Sequence, residues 1–580
     1  MAHEHRAKGY RRRSLLMGAG AVGGIGLLGG AEAAFGGGSS EEEGEPLRDL
    51  PEVRSKGGLL DYRLTMTAST VSLGHGRKAH VHTYNDSLPG PVLRIRPGDR
   101  MRLLVRNRML PMGVPLNALP PLCATRPGPA EAVGLARGVG SENHSTLTCL
   151  PQTAMNVVAG KTIVQLDSIT NLHTHGLQVS PEEPADNVFL VIPPLGSHQF
   201  AFHIRRHQPA GLYWYHPHFH GATAHQGFQG LAGPIVVEGD IDEVPELADA
   251  AERILVLQEL WLDEHGEVPN AVPLPSGGPV PFTSVPAVPT EWLFTVNGQL
   301  TPEVRMRPGE VQRWRVLNAA PHRLMWLHVD QHTLHQVGQD GVPFAHARPK
   351  PAIMLAPANR AEFAVRAGEP GRYPIYIKAY DQGRPGGARP TRLLATLVVD
   401  GPPAHGRLPT KLVRPPRMPH QPVVRRRKLV FKGDISGRYG LGVRFFIDGR
   451  EFDQGRVDQH VEAGTVEEWR IVNEDVFQHP FHIHVNPFQV TDVRGVPHGD
   501  PSFDADPTVW WDTFRIPPLG EFTMRTYFHH DLPGLSVYHC HMLNHEDAGM
   551  MGTVLISPPG SGDPSNHLKF TSAGDHARKR

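Results

Sequence analysis

Cysteine is scarce in this chain, with three residues among 580. That excludes a disulfide-stapled scaffold and an iron–sulfur protein, both of which are cysteine-dense. An excess of one charge is missing too: Lys plus Arg number 58, Asp plus Glu number 58, and the formal net charge is zero. Without a surplus positive field to hold a phosphate backbone, nucleic acid is not an expected partner. Beyond the N-terminus no stretch approaches the roughly 18 apolar residues that span a bilayer. Against these scarcities stand 62 Gly, 56 Pro and 35 His. So much Gly and Pro favours many short strands joined by turns over long helices. Imidazole is the commonest protein metal ligand, so the histidines are where the chemistry is sought. At roughly 150 residues per domain, the length implies three or four domains.

Arg11, Arg12 and Arg13 precede Ser14, Leu15 and Leu16, a Gly-rich apolar run, and the small residues Ala31, Ala33 and Ala34. This pattern reads as a twin-arginine export signal with an A-x-A cleavage site, expected over residues 1–34. The glycines of the run argue against a stable spanning helix. The mature chain is therefore expected in the periplasm or outside the cell, with the twin-arginine export machinery as a partner and no stable membrane insertion. Residues 35–58, which include Glu41, Glu42 and Glu43, are expected to form a disordered leader.

A weak internal repeat sets the organisation. Pro97-Gly98-Asp99, Pro308-Gly309-Glu310 and Ala463-Gly464-Thr465 each open an apolar, β-branched run that ends on Asn107, Asn318 or Asn473, nine residues after the glycine. Such a run after a turn is a strand signal. Ahead of each copy lies a second turn cue: Asn85-Asp86, Asn297-Gly298 and Asp448-Gly449. Three copies imply three β-domains of one type, over 59–240, 241–400 and 425–560. A linker at 401–424 carries seven prolines, and a tail covers 561–580. An insertion in the first domain carries Cys123 and Cys149, which an oxidising compartment would allow to pair. The run Arg425, Arg426, Arg427, Lys428 opens a strand after the linker and reads as a solvated basic edge, not a binding patch.

Four histidine clusters carry the chemical argument. His173 and His175, His216 and His218, His482 and His484, and His539 and His541 are all H-x-H pairs. On a strand, residues two apart share a face, so each pair projects two imidazoles side by side. One such pair alone is an ordinary surface feature. In the last cluster, alternation turns Cys540 away from His539 and His541, so one peptide can serve two metal sites. A thiolate, two imidazoles and a distant thioether make the trigonal blue-copper set. Cys540, His545 and Met550 fit it, with His479 supplying the second imidazole, and the eight paired histidines are enough for three further ions. His198, His203, His207, His220, His225, His529 and His530 are needed by neither set.

These clusters, in this order and across essentially the whole mature chain, resemble the three-domain multicopper oxidases of the laccase type. The resemblance implies an all-β fold of three cupredoxin-like Greek-key β-sandwich domains and four copper ions per chain. By that resemblance His479, Cys540 and His545 ligate a type 1 copper with Met550 as weak axial ligand, Met551 being the competing choice. His173 and His482 resemble the type 2 ligands, and His175, His216, His218, His484, His539 and His541 resemble those of the type 3 pair. At the matching offsets from Asn318, domain two has Leu324, Leu327 and Val329, so it is expected to be a copper-free spacer.

The implied reaction couples one-electron oxidation of a small aromatic or metal-ion donor to reduction of dioxygen to water. Electrons are expected to enter through a solvent-facing edge of His479 or His545. Protons need carboxylates near the cluster, and Asp186 and Glu546 are the candidates. Phenolic and related aromatic donors lead. A cuprous oxidase is disfavoured because the 15 Met are scattered. A ferrous or manganous oxidase needs acids near His479 or His545, for which Asp504, Asp506 and Asp512 are candidates. A copper-free structural envelope protein remains a third reading, weakened by the complete ligand set.

Overall fold

The computed structural model describes residues 44–109, 168–263, 265–268, 291–383, 388–434, 444–497, 500–503 and 505–561. Residues 1–43, Cys123, Cys149, Asp504 and residues 562–580 lie outside these, as do the expected export signal and the candidate disulfide.

The strands form six sheets, two in each of three β-sandwiches. The repeat accounts for them. In each sandwich a long opening strand runs parallel to the repeat strand: Leu59–Gly74 beside Arg100–Asn107, Ala251–Leu262 beside Val311–Asn318, and Val423–Asp434 beside Val466–Asn473. The turn glycines Gly98, Gly309 and Gly464 take φ of +92°, +75° and +83°, which side chains with a Cβ adopt only at a cost. Five residues on, Leu103, Trp314 and Trp469 are fully buried at the three core centres. Burying such a side chain contributes roughly 2–3 kcal/mol.

The asparagine that ends each copy is a clamp. Asn318 Nδ2 donates to the carbonyls of Arg323 and Leu355 while its Oδ1 accepts from Ala320 N–H. Asn473 does the same with Phe477, Pro517 and Asp475, and Asn107 with Ser168, Ile192 and Met109. The second turn cue also recurs in function. Asn85, Asn297 and Asp448 all have positive φ, and their side-chain oxygens accept from Thr65, Val256 and Val430 N–H. Both devices satisfy backbone groups that the turns would otherwise leave unpaired.

Two expectations are corrected. Residues 44–58, expected to belong to a disordered leader, are ordered: Glu52–Arg54 adds a parallel strand to Val92–Ile95, and Pro46 bridges to Glu303 in the second sandwich. Backbone pairing supplies what the polar side chains do not. The Arg425 to Lys428 run is only partly a solvated edge, because Arg427 turns inward to Glu467, with Nε–Oε2 2.6 Å, and to the Gln459 side chain.

Domains one and three meet through two short helices. Helix α1, Thr223–Phe228, has no side-chain cap from its own sandwich. Asp547 at the end of helix α2, Leu543–Asp547, supplies one across the junction, accepting from Gly221 N–H at 2.6 Å and Ala224 N–H at 2.7 Å. Domains one and two are tied by a buried charge network in which Arg94 crosses the junction to Glu252, which Arg315 holds from within domain two. Arg94 reaches Glu52 and Glu252, and Arg315 reaches Glu252, Asp242 and Glu362.

Candidate metal centre

Strand His173–His175 pairs antiparallel with Gly211–His216, placing His173 opposite His216. In domain three, His479–Ile483 pairs with Gly534–Cys540, placing His482 opposite His539 and Phe481 opposite Cys540. Alternation then sends Cys540 into the core and His539 and His541 toward domain one. Two buried clusters result, joined by the peptide of residues 539–541.

In the first cluster Cys540 Sγ lies 3.4 Å from His479 Nδ1 and 3.6 Å from His545 Nδ1, and the two nitrogens are 3.2 Å apart. Met550 is fully buried in the same core. Burial pushes the Cys540 thiol well above its usual range, so a cation in the cluster is what favours the thiolate.

In the second cluster the Nε2 atoms of His218, His484 and His539 converge at mutual distances of 3.1 Å. The rings of His175, His216 and His541 form another triad, with centroids 5.0 to 5.8 Å apart. His173 and His482 make a pair at 6.0 Å. Partners behind the rings fix which nitrogen faces inward. His173 Nδ1 donates to Asp186, His216 Nδ1 to the Pro217 carbonyl, and His482 Nδ1 to the Asp512 carbonyl. Their Nε2 atoms, His175 Nδ1 and both ring nitrogens of His541 are buried with no hydrogen-bond partner. Burial lowers the pKa of these histidines, to about 3 for His216, where His482 adds to it, and to about 4 for His482, where Asp512 opposes it. Neutral imidazoles with inward lone pairs leave a costly unsatisfied cluster, and a set of soft cations satisfies it.

Family models described as multicopper oxidase match residues 150–241, 252–402 and 420–560. The chain is a multicopper oxidase. A laccase of Bacillus stratosphericus is 26 % identical over 501 residues, covering 81 % of this chain and 89 % of its own length. The cell division protein FtsP of Salmonella typhimurium is 28 % identical over 370 residues, covering 60 % of this chain and 71 % of its own. Among solved structures, a Campylobacter jejuni multicopper oxidase described as a metallo-oxidase superposes with a TM-score of 0.67 at 23 % identity, covering 88 % of this chain and 95 % of that one. The three sandwiches share its cupredoxin-like architecture. Copper is the family's metal, and the orphaned imidazole nitrogens and the S/N/N triad fit it in donor type and count.

Both carboxylates singled out in the sequence lie at the second cluster of the oxidase. Asp186 accepts from His173 Nδ1 at 2.7 Å and from Thr174 N–H at 2.8 Å. Burial raises its pKa to about 7, opposed by Thr174. Glu546 is fully buried, 3.3 Å from His539 Nδ1 and 3.5 Å from His218 Nδ1, with a pKa pushed well up by burial and then by Asp547.

One expectation fails at the first cluster. His479 has no solvent-facing edge and His545 is almost fully covered, at 0 % and 3 % exposed. Phe445 stacks on His545 at 4.0 Å, Phe477 packs on both rings, and Asp475 accepts from His479 Nε2 at 2.7 Å. Of the acids weighed for metal-ion entry, the two that are described are engaged elsewhere. Asp506 pairs with Arg348, and Asp512 sits at the second cluster.

Sequence reasoning missed Asp475 and Arg360, and it weighed Asp512 for metal-ion entry instead of its place at the second cluster. Asp475, four positions before His479, carried a readable local signal. Asp512 accepts from His175 Nε2 at 3.1 Å and is held by Arg360 of domain two, with Nη1–Oδ1 2.9 Å and Nη2–Oδ2 2.5 Å. Gly176 makes room for that pair: a Cβ there would lie 2.6 Å from both Arg360 Nη2 and Asp512 Oδ2. Domain two is therefore more than a spacer, although Leu324, Leu327 and Val329 are apolar core, as their offsets implied.

Proposed function

We propose that the chain is a laccase-like oxidase that couples one-electron oxidation of phenolic or other aromatic donors to four-electron reduction of dioxygen to water, using four copper ions. In this reading His479, Cys540 and His545, together with Met550, would hold the type 1 ion. His173 and His482 hold the type 2 ion, and His175, His216, His218, His484, His539 and His541 hold the type 3 pair. The copper ions supply one-electron redox chemistry and the binding of dioxygen. The chain's own residues do the rest. Cys540 links the clusters covalently through its two flanking histidines, Asp186 and Glu546 hold and pass protons at Oδ2 and Oε2, and the buried walls exclude water.

The observation that carries the reading is the position of Cys540 Sγ between two imidazoles while its chain neighbours enter the second cluster. Ferrous or manganous oxidation is disfavoured because Asp475, the acid beside His479, is buried and its Oδ2 is already engaged by His479 Nε2 and the Gly433 N–H. Export by the twin-arginine route, to the periplasm or beyond, belongs to the same proposal. It rests on Arg11, Arg12 and Arg13 ahead of the apolar run.

The test is bound copper per chain, with visible and electron paramagnetic resonance spectra and oxygen uptake on a phenol. About four ions, a blue thiolate band and oxygen consumption without free peroxide are expected. Protein that stays colourless after copper loading would overturn the reading.

A further inference from the structure

The buried type 1 imidazoles leave open where a donor hands over its electron. Next to them, at the edge of domain two, lies an open groove of about 60 Å³, so a donor ring would rest against its mouth. Trp292 and Tyr380 give it aromatic walls, and Arg323, Lys378, Arg389 and Arg392 line it with positive charge.

Its wall is bonded to the ligand-bearing segment. The Gln382 carbonyl accepts from Gln478 N–H at 3.0 Å, and Tyr380 Oη accepts from Gln478 Nε2 at 2.7 Å. Gln478 immediately precedes His479. Gly383 closes on the same segment, where a Cβ would lie 2.1 Å from the Val476 carbonyl. On the other side Leu543 N–H, two residues before His545, donates to Pro321 at 2.9 Å. An electron leaving a ring at this groove therefore reaches His479 through one hydrogen bond and a short stretch of backbone.

The charge balance favours anions. Arg323 is compensated by Glu259 at 3.2 Å. Lys378 lies over the Trp326 ring at 4.6 Å, and Arg389 and Arg392 are exposed. None of these three has an ion pair among the described residues. The acids nearby are Asp381, exposed and capping Gly383 N–H, and Asp500, which accepts from Tyr380 Oη.

We propose that this groove is the electron-donor site and that it selects anionic aromatics, phenols bearing a carboxylate or sulfonate. This rests on the phenol-oxidase reading above and deepens it. Each donor loses one electron and its phenolic proton and leaves as a phenoxyl radical. Four such losses supply the four electrons and four protons that turn one dioxygen into two waters, so no other reductant is required. The anionic substituent is not consumed and serves only to anchor the ring.

The experiment compares kcat/KM for syringate and methyl syringate, which share a ring and differ in charge, on copper-loaded wild type and on the double variant Arg389→Glu, Arg392→Glu. The acid-to-ester ratio should fall about tenfold in the variant, through KM of the acid, and should fall in wild type as salt is raised. A binding readout accompanies it: trimethoxybenzoate, which has no phenolic hydrogen, should bind wild type more tightly than its methyl ester in calorimetry, and the variant should lose that difference. Wild type that oxidises both donors with a ratio indifferent to the charge reversal overturns this inference alone. Copper-loaded wild type that oxidises neither overturns the phenol reading and this inference together.

Discussion

His175 differs from its neighbours in which nitrogen it turns inward. Asp512 takes Nε2, so Nδ1 is left for the metal. A partner behind a ligand sets its tautomer and orientation, and its loss typically costs about 10–100-fold in metal affinity. Asp512→Ala should therefore weaken copper at the triad of His175, His216 and His541 while the blue thiolate band persists, as read by copper analysis and visible spectra. Retention of all copper at wild-type affinity would refute that role. Glu546→Gln keeps the shape of the side chain and removes its exchangeable charge, so turnover should slow with copper content unchanged. Loss of copper in that variant would make Glu546 a structural support instead of a proton carrier. The H-x-H pairs could be read from the sequence because strand alternation is local. Asp512 could not, since 337 positions separate it from His175, and Arg360 offers no local pattern at all.

Among the elements, the asparagine clamps show how much a repeat can disclose. The sequence displayed Asn107, Asn318 and Asn473 at one offset, and the structure gives all three the same hydrogen bonds. Asn318→Ala would leave two carbonyls and one N–H without their partner at the end of a buried strand. It should cost about 2–3 kcal/mol, measured by urea unfolding of domain two, where no copper ligand is disturbed. Local signals failed at residues 44–58, whose strand exists only because Val92–Ile95 has a free edge. They failed also at the type 1 imidazoles, because Phe445 and Phe477 cover them from positions whose apolar character fits any core.

At the scale of the molecule, the buried neutral histidines make the copper-free protein acid-sensitive. His82, His216 and His529 sit near 3 and His220 and His482 near 4, all lowered first by burial. The unfolded chain protonates them near 6.5, so it binds more protons than the folded one between about pH 6.5 and 4, and stability falls as pH falls through that window. Asp186 and Asp340, raised by burial, act in the opposite sense, losing stability as pH rises toward neutrality. They are fewer, and the histidines dominate. Each net proton is worth about 1.4 kcal/mol per pH unit. The urea midpoint of copper-free protein should drop steeply between pH 6.5 and 5, and copper loading should flatten the curve. A midpoint independent of pH would count against neutral buried imidazoles.

The cap that Asp547 places on α1 also bears on time. Most of the ligands of the second cluster, and that cap, join segments more than 250 positions apart, as His484 and His218 are 266 apart. Such distant closure makes folding slow, and a ribosome has to finish domain three before the cluster exists. Metal uptake is thus a late checkpoint on the newborn chain: a copy truncated before His479 would carry every ligand of domain one and could close neither cluster.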